Sequence, residues 1–203
     1  GAWACFHIPD IFVEVDWMPG HEMSDEAVAK VLWAFARHGI ALYIDRGEMG
    51  GGGQVTHLDE IYYSVPADPD DTPGDMDDIY DYKDAYFSNA REGIFHWCLM
   101  AHLEVNDPLL SDILGRGDCP GDTFALYDYN LDGDATKQAK TFQHELGHNI
   151  IGYPGCPRAL VDLVHYYEDG HSRDSNSLMR REMDFSLEFT AYDWSVVVLA
   201  ISF

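Results

Sequence analysis

His144, Glu145 and His148 stand in the run His-Glu-Leu-Gly-His, inside ATKQAKTFQHELGHNI at 135–150. Side chains four residues apart stack on one face of a helix. Two imidazoles at that spacing can therefore approach one tetrahedral Zn²⁺ at about 2.0–2.1 Å while the helix fixes their bite. A carboxylate one residue along falls beside the metal's open position, where it can take a proton from water and later deliver it to a leaving amine. The chemistry implied is hydrolysis by a metal-activated water, with Glu145 as general base, His144 and His148 as ligands and Zn²⁺ as cofactor. A catalytic zinc takes three protein ligands, so a third must come from elsewhere in the chain. On the helical wheel Ala139, Phe142, Leu146 and Ile150 gather on one face and the two histidines on the other. That pattern predicts core beneath the helix and a polar pair facing outward.

H-E-L-G-H resembles the motif of the metzincin clan of zinc endopeptidases, in which a glycine three residues after the second His bends the chain and a third His follows three later. Those places hold Ile151 and Pro154, and Gly152 stands one residue beyond the first. Further on, DGHSRDSNSLM at 169–179 resembles the matrixin stretch from third His to Met-turn, with His171, Ser172, Asp174, Ser177 and Met179 in its internal spacing. On that resemblance His171 is the third ligand, displaced by 171 − 154 = 17 residues, and Met179 turns beneath the ligands as a hydrophobic floor. Asp162, His165 and Glu168 lie in the inserted stretch and compete for the role, Glu168 in the manner of gluzincins and Asp162 in that of aspzincins.

The same resemblance implies an α/β (α+β) metzincin-like fold: a twisted mixed sheet with an active-site helix, then a C-terminal subdomain with the Met-turn and a C-terminal helix. Residues 1–203 would form a single zinc-peptidase domain, 1–151 as N-terminal lobe and 152–203 as C-terminal lobe. Thr123 to Tyr129 is placed like the clan's upper edge strand, which pairs with extended substrates, and Thr190 to Ile201 like its last helix. A protein or peptide substrate follows. The first half is similar, more loosely, to predicted secreted prokaryotic zinc peptidases.

The elements that must position this site are readable upstream. Asp10 to Trp17 alternates apolar and acidic residues, the pattern of a half-buried strand ended by Pro19-Gly20. Ser24 caps a helix through DEAVAKVLWAFARH that stops at Gly39, and Ile40 to Ile44 reads as a second strand, so a parallel crossover is predicted. Gly50 to Gly53 reads as a flexible loop, since no Lys-Ser/Thr follows to make a phosphate cradle. Pro66 to Asp78, with three prolines and six aspartates, is a polar surface loop and a candidate cation binder. Gly93 to His102 reads as a further strand.

Asp128, Asn130, Asp132 and Asp134 match the opening of a D-x-N-x-D-G calcium loop, which makes Ca²⁺ a candidate second ion. Position 12 of that loop is Ala139 where a bidentate Glu belongs, so a plain Asn/Asp/Gly turn stands beside the calcium reading. Cys5, Cys98, Cys119 and Cys156 lack the C-x-x-C spacing of a thiolate zinc site and are read either as two disulfides or as buried thiols.

The chain of 203 residues carries 12 Lys+Arg against 36 Asp+Glu, a net charge of −24 that repels polyanions and excludes nucleic acid as a partner. With 46% hydrophobic residues it should fold as a globular unit rather than stay disordered. No apolar window of about 18 residues exists to span a bilayer. The acidity, with only four lysines, points to an extracellular or cell-surface location, and the excess of aspartate suits a high-salt environment. The rival to a peptidase is a non-catalytic surface or assembly domain that keeps zinc for structure. An open metal position would separate the two.

Overall fold

The computed structural model describes residues 10–63, 76–104, 113–119 and 121–151, together with Leu178, Met179, Phe189, Ala191 and Trp194. Strand β1 (Asp10–Trp17) is followed by a turn in which Gly20 takes φ +86°, and Ser24 then caps α1 (Asp25–Ala36) by accepting from the Ala27 N–H. Asp25 and Glu26 sit at the positive end of that helix. Gly39, at φ +72°, stops it, and β2 (Ala41–Asp45) returns parallel to β1 with Ala41 opposite Asp10. The predicted crossover is therefore present.

Helix α2 (Ile79–Tyr86) starts on the Asp78 carboxylate, which accepts from Tyr80 N at 2.6 Å and Asp81 N at 2.9 Å. Then come β3 (Phe95–Ala101), β4 (Gly115–Gly117), β5 (Thr123–Tyr127), the single turn α3 (Asp128–Leu131) and the long α4 (Ala135–Ile151). The sheet order is β2-β1-β3-β5-β4, with β4 alone antiparallel, its Arg116 opposite Ala125.

Alternation along the strands divides the core in two. Ile11, Val13, Val15, Cys98, Met100, Phe124 and Leu126 meet α1 and α4 through Val31, Phe35, Phe142 and Leu146. Trp97, Leu99, Ala101, Ala125 and Tyr127 form the second cluster, with Ile61 and with Ile79 and Tyr82 of α2. A mostly parallel sheet is covered on both faces, which is why β3 and β5 are mostly apolar, with His96 and Thr123 the exceptions.

Three expectations change here. β1 is a central strand, not a half-buried one: Glu14 and Asp16, on the side away from α1, are buried at 2% and 4% exposure. Their partners come from later in the chain. Arg91 bridges Glu14 at 2.7 Å and Asp45 at 2.6 Å, and the Trp97 indole donates to Asp16 at 2.7 Å. Of Gly50 to Gly53, read as a flexible loop, Gly51 is bound to Asp45, which accepts from the N–H groups of Gly47, Met49 and Gly51. A Cβ at Gly51 would collide with Arg91 and Glu14, so this one position is glycine because its backbone lies directly on a buried ion cluster.

The third correction concerns the sheet edge. Thr123 to Tyr129 is not an edge strand: β5 ends at Tyr127 and lies between β3 and β4, so among the described residues Gly115–Gly117 forms that edge. Gly-Arg-Gly has no apolar alternation and no β-branched residue, so nothing in it signalled a strand. Only Leu178, Met179, Phe189, Ala191 and Trp194 of the expected second lobe are described; the rest of 152–203, the capping Thr190 and most of the 66–78 loop lie outside the described residues. Trp194 packs edge-on to Phe35 of α1 at 5.1 Å between ring centroids. Cys98 is a buried free thiol in β3, and Cys5 and Cys156 lie outside the described residues.

Candidate metal centre

Helix α4 begins where the Asp134 carboxylate accepts from Thr136 N at 2.7 Å and Lys137 N at 3.1 Å. One turn in, Gln138 donates to Asp128 at 2.8 Å and accepts from the Ser24 hydroxyl at 2.9 Å, tying α4 to the start of α1. Phe142 then stacks edge-on to Phe124 of β5, centroids 5.1 Å apart, which seats the helix against the sheet. This rigid placement carries the His-Glu-Leu-Gly-His run.

The face expected to point outward is covered. His144, Glu145 and His148 are 4%, 4% and 6% exposed. Strand β4 lies over one side of them, and Leu178 and Met179 close in from the other. A Cβ at Gly115 would stand 2.8 Å from Glu145 Cγ, and one at Gly117 would stand 2.6 Å from the Glu145 carbonyl oxygen and 3.3 Å from His148 Cβ. The two glycines let the edge strand rest on the helix backbone. Gly147 serves the same end on the other side, where a Cβ would run into Met179 Sδ. Met179 thus lies beneath this helix turn, buried with Leu178 and Phe189 in the main core.

Polar contacts fix the ring states. Nδ1 of His144 lies 2.8 Å from the Leu178 carbonyl oxygen, which can only accept, so Nδ1 carries the proton and a neutral ring keeps its lone pair on Nε2. That Nε2 faces Nε2 of His148 at 3.2 Å, with the rings nearly perpendicular. Two ligand atoms of a tetrahedral zinc at ~2.0–2.1 Å stand about 3.3–3.4 Å apart, so the pair fits a shared zinc. His144, Glu145 and His148 offer ligand atoms all within 4.8 Å of one another.

Glu145 is the most perturbed acid here. Burial pushes its carboxyl up to about 8, with the Arg116 guanidinium pulling down and Glu104 pushing further up. Arg116, from β4, is itself held by Glu104 at 2.7 Å. A divalent cation beside Glu145 would reverse this balance and favour its ionised form.

The last turn of α4 is anchored by Asn149, which donates to the carbonyls of Asp118 at 2.9 Å and Thr123 at 3.0 Å. The Asp118 carboxylate accepts from Tyr80 and Tyr63, and their hydroxyls are pushed up, first by burial and then by that carboxylate.

His171, with the competing Asp162, His165 and Glu168, lies outside the described residues. The four candidate calcium residues have other duties. Asp128 accepts from His21 and Gln138, Asn130 donates to the Ile113 carbonyl, Asp132 takes the left-handed C-cap position of α3, and Asp134 caps α4. Their carboxylates do not gather within 4.8 Å as a set. The side chains of Asp128, Asn130 and Asp134 thus each meet a partner within or beside a helix-capping turn. A different trio does gather: His21, His57 and His102. No sequence signal marked it, since the three come from separate loops.

No family model and no curated protein matches the chain. Among solved structures it is similar to archaemetzincin from Methanopyrus kandleri, with a TM-score of 0.53 across 96% of this chain and 97% of that one, at 13% identity. That likeness bears on the fold, a mixed α/β arrangement of a five-stranded sheet and helices.

Proposed function

We propose that this protein is a zinc-dependent endopeptidase in which His144 and His148 are two of the metal's ligands and Glu145 is the general base. The observation that carries the reading is the 3.2 Å approach of two Nε2 atoms on one buried helix turn, with the tautomer of His144 set by Leu178. Zinc, when bound, lowers the pKa of a water towards ~7 and polarises a scissile carbonyl. Glu145 would accept a proton from that water and return it to the leaving amine. Arg116 of β4 opposes the cost of burying the Glu145 charge.

An extended protein or peptide is the substrate class that suits the edge of β4. No described strand lies outside it, so an added strand could pair there by main-chain hydrogen bonds that are largely blind to side-chain identity. The third ligand in this proposal is His171, from the matrixin-like spacing to Met179. The archaemetzincin-like fold supports the zinc-peptidase class as a whole. An extracellular or cell-surface setting belongs to the same proposal, resting on the charge of −24; among the described residues no helix is long and apolar enough to cross a membrane.

The test replaces Glu145 by Ala. Zinc content should stay at the wild-type level while hydrolysis of a denatured protein falls by about 10²–10⁴-fold, the usual contribution of a general base. Undiminished cleavage would remove Glu145 from the mechanism. Wild-type protein that retains zinc and cleaves nothing would favour the structural-zinc domain.

A further inference from the structure

The carboxyl ends of β1 and β3 hold a second gathering of nitrogen ligands. His21 follows β1 through the turn in which its N–H bonds the Met18 carbonyl, and His102 immediately follows β3, its carbonyl accepting from Tyr129 N at 3.1 Å. His57 comes from the segment after β2, exposed where the other two are half-buried. One ligand atom from each lies within 4.8 Å of the others, and Nε2 of His21 is 3.0 Å from Nδ1 of His102. The three rings face one another in pairs, with centroids 4.8, 5.7 and 5.9 Å apart.

The topology favours a ligand at this spot. The chain runs from β1 outward to β2 and then returns to lay β3 on the other side of β1, so the sheet changes direction between β1 and β3. Crevices outside the carboxyl ends of strands at such a reversal are where open α/β sheets bind ligands.

A carboxylate orients the set. Oδ2 of Asp128 lies 3.1 Å from Nδ1 of His21, and Oδ1 of the same residue accepts from Gln138 on α4. A carboxylate accepts, so Nδ1 of His21 carries the proton and Nε2 presents a lone pair towards His102. A carboxylate behind an imidazole is the usual outer-shell support of a metal-bound histidine. Asp59 stands 3.8 Å from Nδ1 of His57, adding a second negative charge at the rim.

We propose that His21, His57 and His102, oriented by Asp128, form a second metal site that takes a borderline divalent ion such as Zn²⁺ and ties the loops after β1, β2 and β3 together. Imidazole donors suit zinc, nickel and copper rather than calcium or magnesium. The half-buried pair supplies a fixed edge, and the exposed His57 closes on the ion from the solvent side. Without a metal, the same contacts reduce to a hydrogen-bonded relay from Asp128 through His21 to His102, and the test must separate these.

Chelator-stripped full chain is titrated with Zn²⁺ by calorimetry and with Co²⁺ by visible absorption. Wild type should take up two equivalents, and a His144→Ala/His148→Ala double variant one. His57→Ala, at an exposed position with little bearing on folding, should weaken the second equivalent at least tenfold. Asp128→Asn should keep the stoichiometry and lower that affinity by about 10–100-fold, as loss of outer-shell support does. The proposal is overturned if His57→Ala binds the second equivalent as tightly as wild type. It is equally overturned if the folded double variant binds no ion, or only millimolar ion that Asp128→Asn does not affect. If the double variant does not fold, the comparison of wild type with His57→Ala decides alone. The readout is metal uptake, so failure of the peptidase reading leaves it intact.

Discussion

The Leu178 carbonyl oxygen lies 2.8 Å from Nδ1 of His144, although 34 residues separate them in the chain. One backbone acceptor from the turn next to Met179 thereby decides which nitrogen of a buried imidazole keeps its lone pair. The turn is held in place by packing, with Met179 against Gly147 and Phe189 beside both. On the proposed function, metal affinity on α4 would thus be tied to the hydrophobic packing beneath it.

Met179→Ala should accordingly act on both. Truncating a fully buried Met costs about 2–5 kcal/mol through lost transfer energy and the cavity left behind, whereas Met179→Leu should cost less than about 1.5 kcal/mol. Urea denaturation measures this. Zinc affinity of the Ala variant should fall by about 10–100-fold because the carbonyl that orients His144 shifts. Unchanged affinity in a destabilised variant would show that the turn supports the fold alone.

Gly117→Ala places a methyl 2.6 Å from the Glu145 carbonyl oxygen, so β4 must lift from α4. Overpacking of this kind costs about 1–3 kcal/mol, and peptide hydrolysis should drop further than stability does, since Arg116 moves with the strand. Gly53→Ala is the control: nothing lies within 4 Å of the added carbon, and the change should stay within about 0.5 kcal/mol. Thermal unfolding and kcat/KM, measured side by side, give the comparison.

Asp45→Asn tests the buried ion cluster, and its effect should depend on pH. Burial works to raise Asp45, but the N–H of Met49, the Arg91 guanidinium and the N–H groups of Gly51 and Gly47 outweigh it, holding the carboxyl below its ordinary range. A lowered folded pKa contributes stability that is complete above the unfolded value near ~3.9 and is lost as pH falls through the folded value. The wild type should therefore exceed the Asn variant by about 3 kcal/mol at pH 7, as when one partner of a buried pair is removed, and the gap should narrow below about pH 4. Chemical denaturation of both proteins from pH 7 downward reads the difference. A gap that stays constant, or widens in acid, would contradict the assigned sign.

Local chemistry accounts for what could be read early. The Ser24 cap, the Gly39 stop, the parallel pairing of β1 with β2 and the helix through His144 and His148 all follow from signals within a dozen residues, and all are present. Distant partners account for the rest. Glu14 and Asp16 looked like a solvent face because nothing near them announced Arg91 and Trp97. Asp128 meets His21 and Gln138, 107 and 10 residues away, which its D-x-N-x-D-G run does not signal. The edge strand escaped notice because its glycines answer to the backbone of α4 rather than to any strand preference.

The sequence alone determined the spacing of two imidazoles and a carboxylate on one helix turn, since four residues and the 3.6-residue period leave no other face for them. Only the tertiary structure decided that this turn is buried, which strand roofs it, which carbonyl sets the His144 tautomer, and that three more histidines meet at the strand ends. Those outcomes depend on contacts between segments up to a hundred residues apart, where burial and close packing select partners that no local pattern encodes.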